Sequence, residues 1–69
     1  MNNYTIIIEK NAIRYSAYVP DLPGCVAVGD TISETKKHIK EAMELYIDQL
    51  KAYGKPMPEP STISEIISV

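Results

Sequence analysis

The sequence predicts an α+β fold: an antiparallel sheet of three or four strands with one helix packed on one face, in the order β-β-β-α-β. Two observations lead to this fold class. Between residues 4 and 29, short segments alternate apolar and polar positions, which is typical of strands. From Ile32 onward, apolar residues recur every three or four positions, as in a helix with one buried face. Because a chain of 69 residues is too short to enclose two cores, residues 1–69 form a single domain.

The first two strands are predicted to form a hairpin. Residues 4–10, YTIIIEK, place Tyr4, Ile6 and Ile8 on one face of a strand. Because Ile7 puts an apolar side chain on the other face, we expect this strand to be central or covered on both sides. Residues 13–19 alternate in the same way after a turn, and residues 25–29, CVAVG, predict the third strand.

Between the second and third strands lies the stretch YVPDLPGC, residues 18–25. Pro20 has no N–H to donate to a strand ladder, so the second strand is expected to end near Val19. In the turn that follows, the Asp21 carboxylate is expected to hold backbone N–H groups. Pro23 and Gly24 then redirect the chain into the third strand. The density of special residues here indicates a demanding corner.

One long helix is predicted over residues 32–53. Thr31 and Glu34 have the spacing of a capping box, which satisfies free N–H groups of the first turn. Gly54 is a natural residue to follow the last turn, and the proline-rich sequence KPMPEP cannot continue a helix. The final residues, STISEIISV, fit either a short strand or a helical turn, and their alternation favours a strand over residues 66–69.

Composition narrows the classes of function. A net charge of −2 and an isoelectric point near 5.2 argue against binding to nucleic-acid phosphates. No apolar stretch approaches the roughly 20 residues of a membrane span, and the N-terminus does not resemble a signal peptide. We therefore expect a cytoplasmic protein, in keeping with its single cysteine. Because such small cores supply little stability, self-association is also expected.

A search for catalytic chemistry finds no constellation. Asp21, Asp30 and Glu34 are better explained by turn and cap roles than by a converging acid–base or metal site. Cys25 is expected to be buried and inert, and His38 to lie on the solvated helix surface. The glycines form no phosphate-binding loop. We expect no enzyme activity, no cofactor and no metal, and a residual metal-dependent nuclease is the weakest alternative.

In combination, these motifs resemble the HicB-like antitoxin family over nearly the whole chain. The resemblance is carried by the corner between strands two and three, the helix start and the glycine that ends the helix: Pro20, Asp21, Leu22, Pro23, Gly24, Cys25, Gly29, Asp30, Thr31 and Gly54. It implies a partial RNase H-like fold that lacks the metal-binding carboxylates. It also implies an antitoxin that binds a small basic HicA-type toxin, an mRNA-cleaving ribonuclease, and masks its RNA-binding and catalytic surface.

Two further expectations follow from that resemblance. Many members carry a C-terminal DNA-binding segment, but only nine residues follow Pro60, so we expect neither a separate DNA-binding domain nor direct DNA binding. Members of the family also assemble as dimers or higher oligomers. Here the expected interface is the last strand, at Ile66, Ile67, Ser68 and Val69.

The toxin-contact surface is predicted from charge alone. Acidic side chains would attract a basic partner, and the candidates are Glu9, Asp21, Glu41, Glu44 and Asp48. An alternative of another class is an orphan oligomeric structural or ligand-binding domain without a toxin partner. It would use the face of the sheet that the single helix leaves uncovered, where Ile7, Tyr18 and either Cys25 or Ala27 are expected to lie.

Overall fold

A computed structural model describes residues 3–69 and contains three strands and one helix in this part of the chain. The strands are β1 (Ile7–Lys10), β2 (Tyr15–Tyr18) and β3 (Val26–Gly29), and the helix is α1 (Ile32–Ala52). The sheet has the order β1-β2-β3, and both strand pairs are antiparallel. The predicted α+β class, with an antiparallel sheet and one helix, is confirmed.

Two expectations about the sheet were wrong. Strand β1 lies at an edge and β2 is central, since β1 pairs only with β2. The fourth strand expected over residues 66–69 does not form, and residues 55–69 contain neither helix nor strand. A strand needs a neighbour to complete its backbone hydrogen bonds. Residues 66–69 pair with none of the three strands and are fully or mostly exposed.

Hydrogen bonds cap helix α1 at both ends. The Thr31 hydroxyl accepts a hydrogen bond of 3.0 Å from the backbone N–H of Glu34, which is the Thr31 half of the predicted capping box. At the other end, the N–H of Lys55 donates to the carbonyl of Leu50, and Gly54 adopts a φ of +66°. This is the Schellman arrangement that glycine favours because it lacks a Cβ.

The core lies between α1 and one face of the sheet. Its buried side chains come from β2, the corner after it and the helix: Ala17, Val19, Leu22, Cys25 and Ile39. Tyr4, Ile6 and Ile8 pack against this core from the side of β1, as the alternation predicted. The helix is not buried over its whole predicted stripe, since Ile32 and Tyr53 are exposed at its two ends.

Strand β3 and the helix approach each other most closely at Gly29. A Cβ added at Gly29 would lie 2.6 Å from Thr35 Oγ1 and 2.8 Å from the Thr35 backbone nitrogen. Thr35 is fully buried, and its hydroxyl donates to the carbonyl of Thr31 at 2.7 Å. The absence of a side chain at Gly29 therefore allows the first turn of the helix to rest on the end of the strand. In the described chain, α1 is not apolar enough over a sufficient length to cross a membrane.

Candidate functional site

The corner between β2 and β3 is built from two consecutive β-turns. The N–H of Leu22 donates to the carbonyl of Val19, and the N–H of Cys25 donates to the carbonyl of Leu22, each at 3.0 Å. Pro20 and Pro23 occupy the second positions of these turns, where their fixed φ is suited. Gly24 follows Pro23 with a φ of +83°, which the third position of a type II turn requires.

The side chain of Asp21 leaves this corner and holds the C-terminal segment. Its carboxylate accepts hydrogen bonds from the hydroxyls of Ser61 and Thr62, both at 2.9 Å, and from their backbone N–H groups at 3.2 and 3.1 Å. We call this arrangement the Asp21 clamp. The hydrogen bonds, led by that from the Thr62 backbone, hold the pKa of the Asp21 carboxyl below its usual value of 3.8.

Two further hydrogen bonds hold the same segment beside β1. The Tyr4 hydroxyl donates to the carbonyl of Pro58, and the Thr5 hydroxyl donates to the carbonyl of Thr62 at 3.3 Å. Sequence analysis gave Asp21 a role within its own turn. Its partners instead lie forty residues further along the chain. In the sequence, two adjacent hydroxyl residues after the proline-rich stretch, Ser61 and Thr62, indicate that hydrogen-bond donors are available there. Nothing near them in the sequence specifies which carboxylate accepts these hydrogen bonds.

The face of the sheet opposite α1 is uncovered and carries four apolar side chains beside Glu9 and Ser16, which pair with each other across β1 and β2. The register aligns Ile7 with Tyr18 and Tyr18 with Val26, while Val28 lies beside them opposite Ser16. We call these four side chains, Ile7, Tyr18, Val26 and Val28, the open face. Cys25 and Ala27, which the sequence analysis considered for it, lie on the helix side because they alternate with Val26.

Besides the close approach at Gly29, a hydrogen bond from His38 connects the helix to the outer edge of β3. His38 Nδ1 lies 2.7 Å from the carbonyl oxygen of Val28. Since a carbonyl can only accept, the Nδ1 of His38 is the donor. The sequence analysis took His38 to be free in solvent. The signal it missed is helical spacing, because His38 lies between the buried Thr35 and Ile39 and so borders the packed side of α1.

The acidic side chains proposed as toxin contacts fall into three places. Glu41, Glu44 and Asp48 are exposed along the outward side of α1, around the exposed Leu45. Positions 41, 44, 45 and 48 follow helical spacing, so they form one stripe, which we call the acidic stripe. Glu9 is exposed on β1, on the same face as Ile7, and the Asp21 carboxylate is already occupied by the clamp.

The residues considered for catalysis are separated. Asp30 is exposed and lies 3.5 Å from the guanidinium of Arg14, whereas Asp21 belongs to the clamp. Cys25 is buried, and its burial raises the pKa of the thiol. Within residues 3–69, no group of three His, Cys, Asp or Glu side chains is placed to hold a metal ion. The described chain instead exposes apolar side chains in two places, on the open face and in the C-terminal residues.

Comparisons with known proteins give one family. The profile of the HicB-like antitoxin of bacterial toxin–antitoxin systems matches residues 4–69. A UPF0150 protein of Synechocystis sp. is 41% identical over 68 residues, which cover 97% of this chain and 86% of that protein. A UPF0150 protein of Thermoplasma acidophilum is 43% identical over 56 residues, covering 80% of this chain and 81% of the relative.

Two other matches connect the fold to longer proteins. An uncharacterised 14.9 kDa protein of Haemophilus phage HP1 is 37% identical over 65 residues, and the match spans 94% of this chain but only 49% of the phage protein. Among solved structures, a chain of the HicA3 and HicB3 toxin–antitoxin complex superposes with a TM-score of 0.72 and 33% identity. That match covers 87% of this chain and 70% of the other.

Proposed function

The chain belongs to the HicB-like antitoxin family of bacterial toxin–antitoxin systems, and from this premise we propose that it binds and neutralises a small basic HicA-type toxin. In this proposal the antitoxin masks the RNA-binding and catalytic surface of an mRNA-cleaving partner and performs no catalysis itself. The observation that carries the proposal is the similarity, in both fold and sequence, to a chain of a HicA3–HicB3 complex.

We assign the first contact with the toxin to the acidic stripe. Glu41, Glu44 and Asp48 point away from the core, are exposed, and surround Leu45, of which 66% is accessible. An apolar centre with a charged rim is a common arrangement in protein interfaces. Exposed charges act mainly by steering a partner of opposite charge, so they affect the rate of association most strongly. Asp21 is the weakest of the five candidates, because its carboxylate is saturated by Ser61 and Thr62.

The experiment measures association with the product of a neighbouring gene for a small basic protein. If the acidic stripe steers binding, raising the salt concentration slows association, since exposed charges are screened within about 10 Å at 0.1 M salt. Glu44→Lys should weaken binding several-fold, and the triple reversal of Glu41, Glu44 and Asp48 on the order of ten-fold or more, at about 0.2–1 kcal/mol for each lost exposed pair.

Glu59→Lys is the matched control, because it makes the same charge change at an exposed position outside the helix. Equal effects of Glu44→Lys and Glu59→Lys would mean that only net charge matters and would remove the acidic stripe from the proposal. Absence of binding to any basic neighbour would count against the antitoxin function itself.

The proposal includes self-association, a cytoplasmic location, a relation to the partial RNase H-like fold and no direct contact of these residues with DNA. The net charge of −2 supports the last point, since phosphate binding needs clustered Lys and Arg. A second candidate function is an oligomeric structural or ligand-binding domain without a toxin. The uncovered apolar open face favours it, because such faces usually mark interfaces.

A further inference from the structure

Strand β3 forms an edge of the sheet. It pairs with β2 on one side, and within residues 3–69 no strand lies along its other side. The N–H of Val19 donates to the carbonyl of Cys25 at 3.2 Å, so the backbone groups of Cys25 and of every second residue after it face β2. The N–H and C=O groups of Val26 and Val28 therefore face outward, away from the sheet.

This edge lacks the features that usually keep a strand from pairing with another chain. Exposed edges commonly carry a charged side chain, a proline or a bulge. Strand β3 reads VAVG in an unbroken register and has none of these. Among the described residues, the one hydrogen bond to the outward groups comes from His38, whose Nδ1 donates to the carbonyl of Val28 at 2.7 Å. The other outward groups of Val26 and Val28 are available to a partner.

The opposite edge of the sheet is better protected. By the same alternation, the outward backbone groups of β1 include those of Lys10, and a lysine on an edge strand opposes pairing. The residues that lead into β1 are also held against the C-terminal segment, through the hydrogen bonds of Tyr4 with Pro58 and of Thr5 with Thr62. An incoming strand is therefore expected at β3.

Acidic and apolar side chains border the β3 edge on its two sides. Glu41 and Leu45 lie three and seven residues after His38, so they continue along the side of α1 that meets this edge. Both are exposed, and both belong to the acidic stripe. On the open face, Val26 and Val28 expose 65% and 47% of their surface. A strand added here would point its side chains alternately toward these two borders.

We infer that the β3 edge is the docking site for an extended segment of a basic partner protein, which adds to the sheet as a fourth strand. The inference rests on the proposed function, from which the basic partner comes, and it adds the way in which that partner is held. Main-chain hydrogen bonds to Val26 and Val28 supply the attachment, and alternate side chains supply the specificity. The segment that fits places apolar side chains beside Val26 and Val28 and Lys or Arg beside Glu41.

Amide hydrogen exchange tests the inference directly. It is measured on the full chain alone and on its complex with the product of a neighbouring gene for a small basic protein. In the chain alone, the outward amides of Val26 and Val28 should exchange much faster than the amide of Ala27, which faces β2. In the complex, the exchange of both outward amides should slow by at least about ten-fold.

The outcomes separate the inference from the antitoxin proposal. A complex in which the amides of Val26 and Val28 still exchange rapidly would overturn the inference and leave the antitoxin proposal standing. Amides that are already protected in the chain alone would mean that the edge pairs with a second copy, which would also overturn it. If no complex forms with any such gene product, both fail.

Proline variants identify the edge that the partner uses. Val26→Pro removes one outward N–H and keeps the hydrogen bonds to β2, because proline is tolerated where the N–H of an edge strand faces outward. It should raise the dissociation constant of the complex by about ten-fold, through the lost hydrogen bond and the bulk of the ring. Val28→Pro is the second variant in case the first does not fold, which circular dichroism checks.

Lys10→Pro is the matched control, because it removes an outward N–H at the β1 edge. It should not weaken binding, since the loss of a positive charge favours a basic partner. His38→Ala should also bind at least as tightly as wild type, because it frees the Val28 carbonyl for the docking strand. Equal losses in Val26→Pro and Lys10→Pro, or a ten-fold loss in His38→Ala, would contradict docking at the β3 edge.

Discussion

Replacing Gly29 with alanine tests the packing of the helix on the sheet, because that packing decides whether the substitution lowers or raises the free energy of unfolding. The backbone at Gly29 does not have a positive φ. In open space, Gly→Ala at such a position stabilises a protein by about 0.4–1 kcal/mol, since it restricts the unfolded chain. At Gly29 the new Cβ would instead lie 2.6 Å from Thr35 Oγ1, 2.8 Å from the Thr35 nitrogen and 3.0 Å from its Cα.

The size of the effect follows from which atoms must move. Two of the three contacts are backbone atoms of a buried residue in the first turn of α1, so the clash cannot be relieved by rotating a side chain. Overpacking of this kind typically costs about 1–3 kcal/mol. Since a domain of this size is expected to have only about 3–5 kcal/mol of stability, Gly29→Ala should remove a large part of it.

Urea unfolding followed by circular dichroism measures this change. With a slope near 1 kcal/mol per molar urea, expected for so small a domain, the midpoint should fall by about 1–3 M. In a Thr35→Ala background the hydroxyl contact is gone but the contacts with the backbone nitrogen and Cα remain, so Gly29→Ala should still destabilise. A midpoint that is unchanged or raised in the wild-type background would refute the close approach of helix and strand.

Three other predictions concern the Asp21 clamp and the helix ends. Because the clamp lowers the pKa of the Asp21 carboxyl, its stabilisation is complete above the usual value of 3.8 and is lost as the pH falls below that value through the lowered pKa. In the wild-type chain, the NMR signal of the Thr62 amide should therefore shift to that of a released segment only in acid. In Asp21→Ala the same amide should show the released signal at every pH. A Thr62 signal that responds neither to acid nor to Asp21→Ala would exclude the clamp. Thr31→Ala should cost about 1 kcal/mol in urea unfolding, while Thr31→Ser, which keeps the hydroxyl, should cost much less; equal losses would speak against the cap. Gly54→Ala should destabilise by about 1 kcal/mol more than Gly54→Asn, because asparagine tolerates the left-handed backbone better; if both cost the same, the helix stop does not depend on that conformation.

Local patterns predicted the elements of this fold because each pattern is decided within a few residues. Alternation located the three strands, and the helix predicted over residues 32–53 is observed as Ile32–Ala52. The Thr31 cap and Gly54 are local signals of the same kind. The order of strands is not local. An apolar residue on both faces of β1 was read as burial on both sides, whereas Ile7 contributes to an uncovered face.

The candidate surfaces could be predicted only in part for the same reason. Charge and helical spacing are visible in the sequence, so the acidic residues of the acidic stripe could be predicted from it. The partners of Asp21 could not, because Ser61 and Thr62 reach it through the path of the whole C-terminal segment. The assignment of β3 residues to the open face also depends on which of two alternating sets of side chains points away from the helix. Val26 and Val28, which alternate with the predicted Cys25 and Ala27, occupy it because Ala27 pairs with the buried Ala17.

The most direct test of the antitoxin function is titration of the toxin's ribonuclease activity. The product of any neighbouring gene for a small basic protein is purified, and its cleavage of a defined mRNA is measured while the full 69-residue chain is added stepwise. We expect cleavage to fall in proportion to the added chain and to cease at a fixed stoichiometry, with Glu59→Lys equivalent to wild type. Cleavage that continues undiminished at a large excess of folded chain would contradict the account.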